Sequence, residues 1–160
     1  ITEENAHLVS NLHSNLGGLY RMNGYPALAR EHMEKGLFLL EQYNLLYTND
    51  SIPQITNYAM LLTEQQSPEK GISVLQKVSK IIKEYNSDCN LDYATVQETL
   101  GIIYLMTANL PQAKTHFKRA FKIYEKIWAD EPEMIEKKCQ EIQELYPQVG
   151  FFLGQQISNF

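Results

Sequence analysis

The sequence repeats itself every 42 residues, and no other feature limits its fold so tightly. Leu16-Gly17, two residues and Tyr20 return 84 residues later, two periods on, as Leu100-Gly101, two residues and Tyr104. The middle copy falls where the period puts it, at Tyr58-Ala59 and Leu62. In the second half of each copy a small residue precedes a large apolar one by four, as Ala29/Met33, Gly71/Leu75 and Ala113/Phe117. Gly36, Val78 and Ala120 follow three residues later. Units recurring at roughly 20–50 residues bury their apolar faces only against their neighbours. The expected fold class is all-α: an α-α superhelix, a right-handed solenoid of about three helical hairpins plus a C-terminal capping helix.

Punctuation supports the same division. Pro26, Pro68 and Pro111 each stand at the start of a second helix, where a missing N–H costs nothing because that donor has no intrahelical partner. Ser67 and Asp92 are expected N-caps, and Asp130-Glu131-Pro132-Glu133 reads as a capping box. The pattern predicts helices at about 4–22, 26–46, 53–65, 68–85, 92–107, 111–128 and 131–146, with Pro147 and Gly150 ending the last. With 44% hydrophobic residues the chain can fill one continuous core. We expect a single domain over residues 1–160, with repeats at about 10–51, 52–93 and 94–130, a polar-faced capping helix at about 131–146 and a tail at 147–160. Because the chain opens on Ile1 in mid-pattern, a piece of a longer protein is expected.

The recurring residues also carry a family resemblance. L-G-x-x-Y followed by A-x-x-x-F, here Leu100-Gly101-Tyr104 and Ala113-Phe117, resembles the tetratricopeptide repeat (TPR) signature. That repeat has a period of about 34, so the 42 residues seen here look like the kinesin-light-chain type. Ser14-Asn15-Leu16-Gly17 and Thr56-Asn57-Tyr58-Ala59 stand where that type has N-N-L-A, and Asp92-Tyr93-Ala94-Thr95 resembles its D-V-A-x helix entry. The signature tryptophan position holds His13, Ile55 and Gln97, and the Asp-His-Pro element between units is missing. The resemblance implies a TPR-like solenoid with a concave groove that binds peptides.

Composition narrows the function classes. A net charge of −5 argues against nucleic acid and anionic membranes, which need a basic face. No apolar run approaches the ~20 residues of a membrane span, and no signal peptide is visible. Two cysteines, Cys89 and Cys139, make no disulfide framework, which favours a cytoplasmic setting. Phosphate-loop, dinucleotide-loop, zinc-protease and C-x-x-C patterns are missing from the sequence. His32 and His116, 84 residues apart, read as repeat positions rather than metal ligands, because ligands must converge in space. The sequence thus implies no enzyme, no cofactor and no metal.

The first helix of each unit offers a site. Leu16, Leu19 and Tyr20 form the stripe expected to meet the partner helix, while Gly17, Ala59 and Gly101, with Ala29, Gly71 and Ala113, are small for close approach. The opposite stripe gives Asn11, Asn15, Gly18 and Met22, then Pro53, Asn57, Met60 and Glu64, then Thr95, Thr99, Ile102 and Met106. Asparagine is a poor helix former, so its return at Asn15 and Asn57 asks for a reason, and an amide suits the backbone of an extended peptide. The resemblance implies the same role, since groove asparagines at this position contact peptides in that family. Candidate peptide-binding residues are therefore Asn11, Asn15, Met22, Asn57, Met60, Thr99, Ile102 and Met106. Three functional classes stay open: a protein- or peptide-binding scaffold, a structural segment that forms homo-oligomers through uncapped ends, and the peptide-sensing arm of a larger cytosolic regulator.

Overall fold

Residues 1–85 and 90–147 are described by the structure, a computed structural model. Cys89 and the apolar tail Phe151-Phe152-Leu153 lie outside them. Among the described residues there are seven α-helices and no strand: α1 (Glu3–Met22), α2 (Pro26–Gln42), α3 (Ile52–Glu64), α4 (Pro68–Tyr85), α5 (Leu91–Met106), α6 (Leu110–Ile127) and α7 (Pro132–Leu145). A 3-10 turn, Asn49–Ser51, leads into α3. The chain divides into two compact units, Ile1–Ser87 and Asp88–Phe160. The first holds α1 to α4 and the second α5 to α7.

Each hairpin turns in the same way. Gly24, Gln66 and Ala108, 42 residues apart, all have positive φ, at 78°, 61° and 58°. In each turn the next amide reaches back to the first helix: Tyr25 N to Tyr20 O at 2.9 Å, Ser67 N to Leu62 O at 2.9 Å, and Asn109 N to Tyr104 O at 2.7 Å. These are six-to-one closures that satisfy the last carbonyls of a helix. Glycine takes that backbone freely, whereas Gln66 and Ala108 hold it at a cost of about 1–2 kcal/mol. The same device stops α2 at Gln42 rather than near 46. Asn44 has φ 58°, and Leu45 N donates to Leu40 O at 2.7 Å.

In the first unit, α1 and α2 meet through small residues. Cβ atoms added to Gly17 would lie 2.6 Å from Met33 Cγ and 3.0 Å from Ala29 O, and one on Gly71 would lie 2.6 Å from Ala59 O. Ala29, Met33 and Leu61 form a core cluster with Tyr20 and Tyr58 packed on it. The buried stripe of α1 is Ala6, Ser10, Ser14 and Gly17, not Leu16 and Leu19, which are 41% and 57% exposed. One period later, Leu61 occupies the position of Leu19 and is buried against the preceding hairpin's Ala29 and Met33.

In the second unit, α5 packs on α6 with Gly101 against the Phe117 ring, whose nearest carbon would be 3.0 Å from an added Cβ. Asn90, rather than Asp92, caps α5, its Oδ1 accepting from Tyr93 N at 2.6 Å. Glu131 stands at the N-cap of α7 without a side-chain capping bond, so Pro132 alone marks that start. One face of α7 buries Cys139 and Ile142. Lys138 Nζ approaches Glu98 Oε2 at 3.3 Å, and Tyr124 Oη donates to the same oxygen at 2.6 Å. Burial lifts the Glu98 carboxyl above the usual range, against the pull of Lys138 and Tyr124. Burial likewise pushes the Cys139 thiol up to about 11, so it stays protonated and unreactive. Trp128, at the end of α6, stacks on Tyr124 with ring centroids 4.8 Å apart.

Candidate functional site

The exposed stripe of α1 is present as a surface: Asn11, Asn15 and Met22 are exposed and Gly18 is half-buried. In α3 only Pro53, Asn57 and Glu64 are exposed, because nine of its thirteen residues are buried. That burial takes Met60, which is 6% exposed, off the list of contact residues. In the second unit α5 is enclosed in the same way. Thr99 and Ile102 are 7% and 6% exposed, and Met106, at the helix end, is 38% exposed. The Thr99 hydroxyl donates to Thr95 O at 2.9 Å, a back-bond within its own helix that occupies its only proton. Thr99 therefore cannot donate as Asn15 and Asn57 can.

Register explains what surrounds the two asparagines. Helices α1 and α3 lie side by side, joined by pairs 43 residues apart. Gln54 Nε2 donates to Asn11 Oδ1 at 2.8 Å, and Arg21 Nε donates to Glu64 Oε2 at 2.7 Å, with a second guanidinium nitrogen on Glu64 Oε1. Deeper in the same seam, Ser10 Oγ lies 2.9 Å from Gly36 O and 2.5 Å from Gln54 Oε1. Asn15 and Asn57 fall between these two pairs, and among the described residues neither side chain has a hydrogen-bond partner. Arg21 is thus neutralised by Glu64, a pair that the repeat register alone could have revealed. The face is left uncharged in its middle, with two exposed amides.

The histidines have a structural account that sequence reasoning missed. His116 Nδ1 donates to Gln97 Oε1 at 2.8 Å, across α5 and α6, and its ring stacks on Tyr104 with centroids 5.3 Å apart. Two periods earlier His13 Nδ1 and His32 Nδ1 lie 2.9 Å apart, one donating and the other accepting, while His32 stacks on Tyr20 at 5.3 Å. The tyrosine of the L-G-x-x-Y motif and the residue at the tryptophan position therefore grip the same histidine. Burial drives His116 down to about 4, with Arg119 adding to it; burial, then His32 and Lys35, lowers His13. His116 and His13 are thus both disposed to stay neutral. Among the described residues no three His, Cys, Asp or Glu side chains are grouped to hold a metal ion, and no helix is long and apolar enough to cross a membrane.

Comparison with known proteins agrees with this geometry. The family model described as tetratricopeptide repeat matches residues 51–126, the stretch from α3 through α6. A solved structure, the kinesin light chain-like BtubC (BKLC) from P. vanneervenii, superposes with a TM-score of 0.72 at 19% identity, covering 92% of this chain and 59% of that one. The chain thus spans about three fifths of the length of that protein, and at this identity the likeness is one of fold. No curated protein matches the chain. Tetratricopeptide repeats are a non-catalytic repeat family and generally act as protein-interaction modules. The hairpin ahead of the matched stretch keeps its period, its left-handed turn and its stacked tyrosine and histidine. Residues 51–126 of this chain match the tetratricopeptide repeat model, and the fold is the helical-repeat type that such repeats build.

Proposed function

We propose that the chain is a peptide-binding module whose ligand lies extended across the exposed face of α1 and α3. Asn15 and Asn57 hydrogen-bond the ligand's backbone, and Asn11 and Met22 extend the contact along α1. The observation that carries this reading is the pair of exposed amides, 42 residues apart, that no side chain among the described residues satisfies. Amides offer both donors and an acceptor, as an extended peptide does. Engaging few charges, such a site binds with an affinity of about a micromolar, near −8 kcal/mol, and depends little on salt. In the second unit Met106 is the exposed candidate. The setting that suits this module is the cytoplasm, as a scaffold or as the sensing arm of a larger regulator.

The test is a peptide array probed with wild type and Asn57→Ala, followed by calorimetry on the hits. Asn57→Ala leaves folding intact, because alanine favours an exposed helix position. It weakens binding by about 1–3 kcal/mol, the cost of peptide groups left unpaired. Equal affinities for the two proteins would remove the asparagines from the site.

A second reading rests on a different observation. Leu8, Leu12, Leu16 and Leu19 form an exposed row on α1, at 63%, 55%, 41% and 57%. An apolar row of this kind is a contact surface, here for the α1 helix of a second copy. Sedimentation of Leu12→Lys beside wild type checks it: wild type gains mass with concentration and the variant does not.

A further inference from the structure

A cleft on the other side of the first unit, away from the asparagines, has no part in the peptide face. It opens where α2, the 43–48 connection and α4 meet, and has a volume of about 320 Å³. Ile55 and Val78, each 2% exposed, close its floor. Phe38, 64% exposed, and Tyr47, 38% exposed, form its walls. That volume is at the low end for ligand pockets, enough for one or two large side chains.

The repeat shows that Phe38 is out of place for a solvated helix face. The same position one and two periods later holds Lys80 and Lys122, both exposed. The charged rim differs from the next copy, while the last copy has Lys118 and Glu125 at the positions of Glu34 and Glu41. Glu34 and Glu41 face the cleft from α2, where the second unit of the repeat has Gln76 and Lys83. On the α4 side the cleft already holds a cation of the chain's own: Lys77 Nζ stands 5.4 Å from the centroid of the Tyr47 ring. Tyr58 Oη donates to Glu34 Oε1 at 2.8 Å, and Arg30 Nε donates to the same oxygen at 2.8 Å, so Glu34 is held at the edge. An aromatic wall with carboxylates beside it recognises a cation, and the apolar floor recognises a bulky side chain.

We propose that this cleft docks a peptide segment in which a large apolar side chain, seated between Phe38 and Val74, is followed by a lysine or arginine that meets Glu41 and the Tyr47 ring. The net charge of −5 favours such a basic partner over an acidic one. Lys77 is the internal stand-in for the partner's cation and competes with it. The site is independent of the asparagine face, so each can fail without the other.

The experiment uses the isotopically labelled chain and two probes, N-acetyl-Trp-Arg amide and N-acetyl-Trp-Glu amide, followed by amide chemical shifts. With the Trp-Arg probe the shifts are expected along residues 34–47 and 74–78, and the Trp-Glu probe binds several-fold more weakly. Phe38→Lys writes the residue of the other repeats into this position; it leaves the spectrum unchanged away from the cleft and weakens the Trp-Arg probe roughly tenfold. Lys77→Met strengthens the same probe, Glu41→Gln weakens it, and Asn57→Ala leaves it unchanged. Shifts confined to α1 and the exposed stripe of α3, or equal binding of the two probes, would overturn the proposal. Undiminished binding by Phe38→Lys would do the same, and if that variant fails to fold, undiminished binding by Glu41→Gln decides against the site.

Discussion

The first hairpin, α1–α2, and the third, α5–α6, share a backbone plan and differ inside it by pairs. Gly17 against Met33 becomes Gly101 against Phe117. His13 with His32 becomes Gln97 with His116. Ser10 bonded to Gly36 O becomes Ala94 and Ala120, both fully buried. The positions of Ser14 and Leu40 hold Glu98 and Tyr124, which bond to each other. In two of these slots both facing residues change together, and in the other two one partner is kept, Gly17 as Gly101 and His32 as His116, while its neighbour changes to suit it. What repeats is therefore the slot between two helices, and the chemistry filling it is chosen pair by pair.

The largest break in this comparison is expected from Gly101→Leu. Its side chain would enter a rigid Phe117 ring, whose nearest carbon is already 3.0 Å from an added Cβ. Overpacking of this kind costs about 1–3 kcal/mol or more, and denaturant unfolding should show the full loss. A variant that melts within a degree or two of wild type would show that the slot is loose.

Next in size is Tyr124→Phe, which leaves the buried Glu98 carboxylate with Lys138 as its partner. The loss should be about 1–3 kcal/mol at neutral pH. It should shrink in acid, because Glu98 has a raised pKa and becomes neutral as pH falls.

The histidine couples sharpen the comparison through pH. His116 titrates near 4 when folded and near 6.5 when unfolded, so the unfolded chain binds the proton first and stability falls as pH drops through that window. Compared with His116→Gln, wild type should lose about 1–2 kcal/mol more between pH 6.5 and 4. His13→Gln writes the third hairpin's couple into the first and should lessen the acid loss there, since the second proton of a histidine pair breaks its bond.

The smallest effect expected is a gain. Ala108→Gly and Gln66→Gly give two turns the residue that Gly24 already has, and each should add up to about 1 kcal/mol by relieving a left-handed backbone. Thermal melts of the single variants are sufficient to check it.

Much of this was legible in the sequence. The period, the hairpin division and the small residues at Gly17, Gly71 and Gly101 follow from spacing, because close helix packing leaves a strict size signature. Direction was harder to read. A stripe drawn at helical spacing does not reveal which helices are enclosed, and Met60, Thr99 and Ile102, which share that stripe, are buried. Leu16 and Leu19 read as inward from their apolar spacing, and the same positions are indeed buried in the last copy, as Leu100 and Ile103, but not in the first. The pattern runs past the true end of α2 because Asn44, rather than a glycine, takes the left-handed turn. Arg21 and Glu64 needed only the register of neighbouring repeats, and the cleft at Phe38 only a comparison with Lys80 and Lys122.

The chain's single tryptophan, Trp128, lies flat on Tyr124 in the second unit. Its fluorescence is therefore a private signal from that unit, while circular dichroism sums the helices of both. Recorded together on one sample, the two signals form a clock with two hands. If they move together through a denaturant gradient, the 42-residue period has built one cooperative body; if the indole signal moves alone, each unit keeps its own time.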